Sequence, residues 1–264
     1  MADLNAFIAQ RQKQEPPSFS SKYSKHHLGS WTREMNPAAS YYEKDYTHTF
    51  HTTNTSPITI TIRESPITLG TRVWDCSIIL GQYLFSLPPT TFTSSNVLEL
   101  GAGTGIDAIL LAKMGAVVCA TEYTPTICEW LKTNCDYNEV STQTLQPSKV
   151  LVTPLDWYNQ HQIDEHIHIH YSHVIMSDCT LTVDDAIACL KVLNIFVGSR
   201  AGTVGYVGVC VERDGSPTFF SSLFSKENRF SVEELEGGQD GYGFGPEGAR
   251  YRLFKLTCKN SQLD

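Results

Sequence analysis

The spacing of apolar and polar positions changes along this chain, and the changes divide it. Residues 1–44 are polar, carry Pro16-Pro17 and clusters of Ser, Lys and His, and hold no sustained period. They predict a largely irregular arm, with at most a short helix over 2–13. From residue 45 the segments YTHTFHT and ITITIRE alternate β-branched or aromatic residues with polar ones around TNTSP, which predicts a β-hairpin across 45–63. RVWDCSIILGQYLFSL (72–87) sets Val73, Ile78, Ile79, Tyr83 and Leu84 near a helical period, and Pro88-Pro89 ends it.

A regular alternation follows. NVLEL (96–100) predicts a strand, and after it come a helix over about 105–115, strand 117–121, helix 125–137, strands 150–155 and 173–177, helix 183–196, strand 203–211, helix 217–226, and strands near 229–234 and 250–258. Strands alternating with helices place a mostly parallel sheet between two helical layers, and the final pair predicts a hairpin with a reversed strand. The expected fold class is α/β, a doubly wound, mostly parallel seven-stranded sheet with an N-terminal β-hairpin extension. HQIDEHIHIHYSH (161–173) reads as an extended, solvated approach to the fourth strand. In that form His166, His168 and His170 share one side, a geometry that chelates zinc, but no metal site is assigned. ELEGGQDGYGFGPEG (234–248) reads as a long loop between the last two strands, placed where it could grip a substrate.

Length adds a domain count. At 264 residues the chain fits an arm over 1–44 and one domain over 45–264. Hydrophobic residues make up 41% and charged ones 18%, and no apolar run approaches the ~20 residues of a membrane span, so membrane insertion is not expected. The opening MADLNAFIAQRQKQEPP lacks the basic start and apolar stretch of a signal peptide, which predicts a cytoplasmic chain, with the nucleus also open to it. The eight cysteines contain no C-x-x-C pair and mostly sit in apolar runs, so they read as reduced core residues. Residues 1–44 carry six Lys/Arg against four Asp/Glu, or +2, so the net charge of −8 leaves −10 for 45–264. An acidic body argues against nucleic acid and suits a basic protein surface.

The candidate chemistry lies in LELGAGTGIDAILLAKMGAVVCATEY (98–123). A strand ending in close glycines that open a helix lets backbone approach a ligand, with helix N-terminal amides facing it. The dinucleotide loop is G-x-G-x-x-G, but here Gly101, Gly103 and Gly105 precede Ile106, so the third glycine comes one place early. The G-x-G-x-G spacing resembles the loop of class I methyltransferases, whose cofactor is S-adenosylmethionine. Glu122, at the end of the next strand, stands where a carboxylate can accept hydrogen bonds from two ribose hydroxyls.

VWDCSIILGQYL directly before VLELGAGTG, then TEY, LDW and VIMSD, resembles the seven-strand protein-lysine methyltransferases of the methyltransferase-like 21 group (methyltransferase family 16), over roughly 45–258. The resemblance implies a class I, Rossmann-like methyltransferase fold and S-adenosylmethionine as cofactor. By matched position it implies that Trp74 borders the cofactor and that Gly101, Ala102 and Gly103 line its methionine and ribose side. Glu122 would bind the ribose hydroxyls, Asp156 and Trp157 the adenine edge and face, and Ser177 would close the floor near the sulfonium. Asp178 is the implied catalytic acid that orients the acceptor amine. The family's D-x-x-Y stretch is Asp178-Cys179-Thr180-Leu181 here, so the acid is kept and the aromatic is not. Three explanations of that departure stay open: another aromatic that supplies the ring, a different nitrogen as acceptor, and a domain that binds without turnover.

The expected function is that of an S-adenosylmethionine-dependent protein N-methyltransferase acting on a lysine of a cytosolic protein. The alternatives are a class I methyltransferase of another protein side chain or of a small molecule, and a catalytically lapsed cofactor-binding module. The implied partner is a protein substrate, with neither nucleic acid nor membrane, and the chain reads as a monomer.

Overall fold

The computed structural model describes residues 45–53, 55–65, 68–142, 149–236 and 250–259. The predicted arm over 1–44 and residues 237–248 of the glycine-rich stretch lie outside them.

The alternation over 45–63 produces strands β1 (Asp45–Phe50) and β2 (Ile58–Arg63), paired antiparallel with Phe50 opposite Ile58. Thr47 meets Thr61 and Thr49 meets Thr59 on the outer face, with hydroxyl separations of 3.0 and 2.9 Å. The inner face buries His48, Phe50, Ile60 and Ile62. This is the period-2 partition expected of a half-buried ribbon.

The first long apolar run forms α1 (Asp75–Ser86), which stops as Leu87 turns extended ahead of Pro88-Pro89. Thereafter the chain alternates through β3 (Asn96–Leu100), α2 (Ile106–Lys113), β4 (Val117–Glu122), α3 (Pro125–Tyr137), β5 (Lys149–Pro154), α4 (Gln160–Ile167), β6 (His173–Ser177), α5 (Val183–Phe196), β7 (Val204–Cys210), α6 (Ser216–Leu223), β8 (Phe230–Leu235) and β9 (Tyr251–Cys258). Seven strands form one sheet in the order β5-β4-β3-β6-β7-β9-β8. β9 runs antiparallel to both β7 and β8, and the other neighbouring pairs are parallel.

The sheet has a core on each face. Val97, Val118, Ala120 and Ile175 pack with α1, α2 and the hairpin. Leu98, Leu100, Val174 and Met176 pack with residues of α4, α5 and α6. Burial on both faces explains why the strands read as continuous apolar runs rather than alternating ones. The hairpin is tied to the sheet through α3. Asn138 Oδ1 accepts from Thr61 N at 3.0 Å and its Nδ2 donates to Thr61 O at 2.7 Å, while Asn134 accepts from Arg63 N at 2.9 Å. Asn134 Nδ2 also donates to Thr104 O at 3.0 Å, so one side chain joins the hairpin edge to the glycine-rich loop.

The expected extended form of 161–173 is overturned. Asn159 Oδ1 accepts from Gln162 N and opens helix α4, which buries Ile163 and His166 on one side. The HIHIH alternation hid this period of three. His166 is a core residue, 3.0 Å from the Tyr171 hydroxyl, and burial lowers its pKa. His168 and His170 are exposed. The helix therefore removes the shared side that a chelate would need. Among the described residues no group of His, Cys, Asp and Glu is arranged to hold a metal ion, and no helix is long and apolar enough to cross a membrane.

One polar cluster is buried in the α1–α2 core. Asp107 on α2 lies so close to α1 that a Cβ on Gly81 would stand 2.6 Å from its Oδ1. Both Asp107 oxygens and Glu99 Oε2 lack a hydrogen-bond partner among the described residues. Burial pushes both carboxyls well above their usual range, and Asp107 and Glu122 raise Glu99 further. A carboxyl whose folded pKa is raised favours folding below its unfolded pKa and loses that contribution as pH rises through the folded value. Asp107→Asn is therefore expected to flatten the fall in stability as pH rises above the ordinary carboxylate range, by up to about 1.36 kcal/mol per pH unit. Urea unfolding over that rise checks this, and an unchanged slope would contradict it.

Candidate active site

Strand order reverses between β3 and β6, because the chain leaves β3 toward β4 on one side and β6 toward β7 on the other. In an open α/β sheet the crevice at the carboxyl ends of such strands is the place for a ligand. The four strand ends here carry Gly101–Gly105, Glu122, Asp156-Trp157, and Ser177-Asp178-Cys179.

The glycine loop is held in a conformation that side chains resist. Gly101 and Gly103 have φ of 68° and 54°. A Cβ on Gly101 would stand 2.7 Å from Cys179 Sγ and 3.5 Å from the Trp157 ring, and one on Gly103 would stand 3.3 Å from the Gly70 carbonyl. The bare backbone thus faces walls from three other segments. Ala102 N donates to Thr121 O at 2.9 Å, which fastens the loop to β4.

Glu122 fixes the same loop from below. Its Oε1 accepts from Gly103 N at 2.7 Å and its Oε2 from Tyr123 N at 3.1 Å. Burial pushes its pKa up to about 6, and the two amides oppose that rise. A carboxylate offers about four lone-pair sites, so two remain for a ligand. The Glu122 carbonyl accepts from Leu155 N at 2.8 Å and sets the LDW turn beside it. Within that turn Asp156 Oδ1 accepts from Tyr158 N at 3.0 Å, and Asp156 N donates to Gln162 Oε1 at 2.6 Å. Asp156 is thus partly spent on its own turn, while half-buried Trp157 reaches Gly101.

Across the crevice, Ser177 ends β6 opposite Gly208, and its carbonyl accepts from Cys179 Sγ at 3.2 Å. Asp178 follows with φ of 52°, its N–H donating to Gly208 O at 2.9 Å. It is not the cap of α5. Thr182 fills that role, with its hydroxyl accepting from Asp185 N at 3.1 Å and Asp185 Oδ2 accepting from Thr182 N at 3.0 Å. The Asp178 carboxylate, almost fully buried, is instead gripped by Arg213. Nε donates to Oδ1 at 2.9 Å, and Nη2 donates to Oδ2.

The Arg213 guanidinium also lies 4.8 Å from the Trp74 ring centroid. Trp74 Nε1 in turn donates to Leu69 O at 3.1 Å, next to the Gly70 that faces Gly103. Contacts therefore run in a ring from Gly103 through Gly70, Leu69, Trp74, Arg213, Asp178 and Cys179 back to Gly101. Trp74, Gly101, Gly103 and Asp178 lie on this ring, Ala102, Glu122, Trp157 and Ser177 adjoin it, and Asp156 is bonded within its own turn. Arg213 and Cys179 were missed. The signal for Arg213 was an ERD sequence just past the end of β7, where a charged residue meets the crevice of a parallel sheet.

The geometry can receive a ligand with adjacent hydroxyls at Glu122, a flat ring at Trp157, and an extended portion along bare backbone.

A family model described as "Lysine methyltransferase" matches residues 53–226. EEF1A lysine methyltransferase 3 from Mus musculus is 28% identical over 177 residues, 67% of this chain and 70% of that one. Methyltransferase-like protein 23 from Dictyostelium discoideum is 30% identical over 135 residues, 45% of this chain and 53% of that one. Protein N-lysine methyltransferase METTL21A from Mus musculus is 36% identical over 101 residues, 38% of this chain and 44% of that one. The chain thus spans about half the length of two of these relatives. Among solved structures, a T. thermophilus 16S rRNA methyltransferase in complex with AdoMet and guanosine aligns with a TM-score of 0.52 at 17% identity, covering 84% of this chain and 52% of that one. That likeness concerns the fold alone. The family match covers more than half of the chain, including the glycine loop, Glu122, Asp178 and Arg213, and the chain belongs to the lysine methyltransferase family.

Proposed function

We propose that this chain is an S-adenosylmethionine-dependent protein N-methyltransferase whose acceptor is a lysine side chain of a cytosolic protein. The observation that carries the reading is Glu122, a buried carboxylate that holds the Gly103 amide and keeps acceptor sites open beside a bare positive-φ loop. When bound, S-adenosylmethionine supplies a methyl group on a cationic sulfonium. The chain's own part is to bind, align and keep water out.

Gly101 and Gly103 supply a floor bare of side chains, with the Ala102 methyl between them turned into the core, Glu122 accepts from ribose hydroxyls, and Trp157 gives a ring face to adenine. Trp74 and Ser177 close the other side, with Asp156 at the adenine edge. A lysine at its reference pKa of about 10.4 is protonated at pH 7, and neutralising it costs roughly 4.6 kcal/mol. Burial beside other cations lowers that cost, and Asp178 orients the amine by accepting one of its hydrogens. One arrangement favours a second reading, a cofactor-binding module without turnover: Asp178 is already engaged by Arg213, and Leu181 offers no ring.

Two expectations follow from this site. Protonation removes acceptor capacity from Glu122, so cofactor affinity should fall as pH drops below about 6, approaching about tenfold per pH unit. Calorimetric titration should show this for the natural chain and show a weaker, pH-independent affinity for Glu122→Gln. Equal affinity in the two proteins would contradict the assignment. Labelled methyl transfer into a methylation-deficient cytosolic extract should give a discrete protein band carrying methyl-lysine by mass spectrometry. Asp178→Ala should lose the band with affinity for S-adenosylhomocysteine, which carries no sulfonium charge, nearly unchanged. Cofactor binding without any band would favour the second reading.

A further inference from the structure

We propose that Arg213 is a positioning residue that neutralises and aims Asp178, so that the acceptor meets a fixed, charge-balanced ion pair instead of a free carboxylate. The inference rests on the reading of Asp178 as the acid facing the acceptor amine.

The geometry is that of a fork. Nε and Nη2 of one guanidinium each donate to a different carboxylate oxygen, which fixes both the position and the plane of the Asp178 carboxylate. The two partners are nearly enclosed, with 14% of the Arg213 and 3% of the Asp178 side chain exposed, so water screens the pair little. Each carboxylate oxygen keeps a further lone pair, so Asp178 can still accept a hydrogen from an amine.

Arg213 is itself held on several sides. Its guanidinium lies over Trp74, and its carbonyl accepts from Ser216 N at 3.0 Å at the start of α6. Gly215 N donates to Thr180 O at 3.2 Å, and the Ser216 hydroxyl lies 2.8 Å from that of Thr180. The loop carrying Arg213 is thereby tied to the strand of chain that carries Asp178. One guanidinium consequently joins the Trp74 wall to the candidate catalytic acid.

The charge arithmetic gives the chemical consequence. A lone buried carboxylate would favour an ammonium, which has no lone pair to attack with. Paired with Arg213, Asp178 contributes no net charge, and the nearby cation disfavours an ammonium while the carboxylate still orients a neutral amine. This gives the site a way to select the neutral acceptor with Leu181 where the resembled family has an aromatic.

The test needs no knowledge of the substrate. Sinefungin carries an amine-bearing carbon in place of the methyl-bearing sulfur, and S-adenosylhomocysteine carries neither a methyl nor an amine at that position. Their affinities are measured by calorimetry for the natural chain, Arg213→Gln, Arg213→Lys and Asp178→Asn, with thermal unfolding as a check on folding. In Arg213→Gln the preference for sinefungin over S-adenosylhomocysteine should rise at least about fivefold, because an anion loses its counter-charge. In Arg213→Lys, which keeps the charge, it should stay close to the natural value, and in Asp178→Asn it should fall. A preference that is unchanged or lower in Arg213→Gln overturns the proposal, as does equal weakening of both ligands. If Arg213→Gln does not fold, Arg213→Lys and Asp178→Asn decide: the proposal fails if the preference does not fall in Asp178→Asn or moves as far in Arg213→Lys. Because only binding is read, these results stand apart from whether any protein lysine is methylated.

Discussion

The site depends on one buried hydrogen bond, from the Gly103 amide to the Glu122 carboxylate. It joins the end of β3 to the end of β4 and pins a loop whose positive φ values have little intrinsic preference to persist. A carboxylate in that place is costly, as its raised pKa records. Folding tolerates it because two backbone amides satisfy it. The same amides leave acceptor capacity facing the crevice, so the group that stabilises the loop is also the group able to recognise a ligand.

Around that bond the architecture is largely supporting. The parallel strands stop at the same level and bring four loop ends together. α3 fills the space behind the loop, and Asn134 fastens the loop's Thr104 carbonyl to the N-terminal hairpin. The hairpin therefore contributes to the shape of the crevice although it lies outside the seven-stranded sheet. On the far side, Arg213 performs the corresponding task for Asp178. The two acids are treated differently: Glu122 is satisfied by neutral amides and Asp178 by a full counter-charge.

Much of this was legible in the sequence. The alternation of strands and helices predicted the order of elements, since each apolar strand buried on both faces is a short continuous run and each helix carries its own cap or stop. Glu122 was legible because the glycine spacing locates the first strand and the acid must end the next. α4 was not, because histidines at 166, 168 and 170 imitate a period of two, and the buried partners of His166 lie on β4 and after the helix. Arg213 was also hidden. Its role is created by the pairing of β6 with β7, and nothing in the local sequence says that the carboxylate it meets is thirty-five residues away.

The central claim is that the crevice works as a preformed cradle of bare backbone. Gly103→Ala tests it most directly, since the added methyl would stand 3.3 Å from the Gly70 carbonyl at a backbone angle of 54°. The left-handed conformation costs a side-chain residue roughly 1–2 kcal/mol, so the variant should fold with a modestly lowered thermal midpoint. Calorimetric titration with S-adenosylhomocysteine should then show at least about a tenfold loss of affinity, as expected for about 1.4 kcal/mol or more. Affinity equal to that of the natural chain would mean that the ligand does not rest on this loop, and the account would fail at its base.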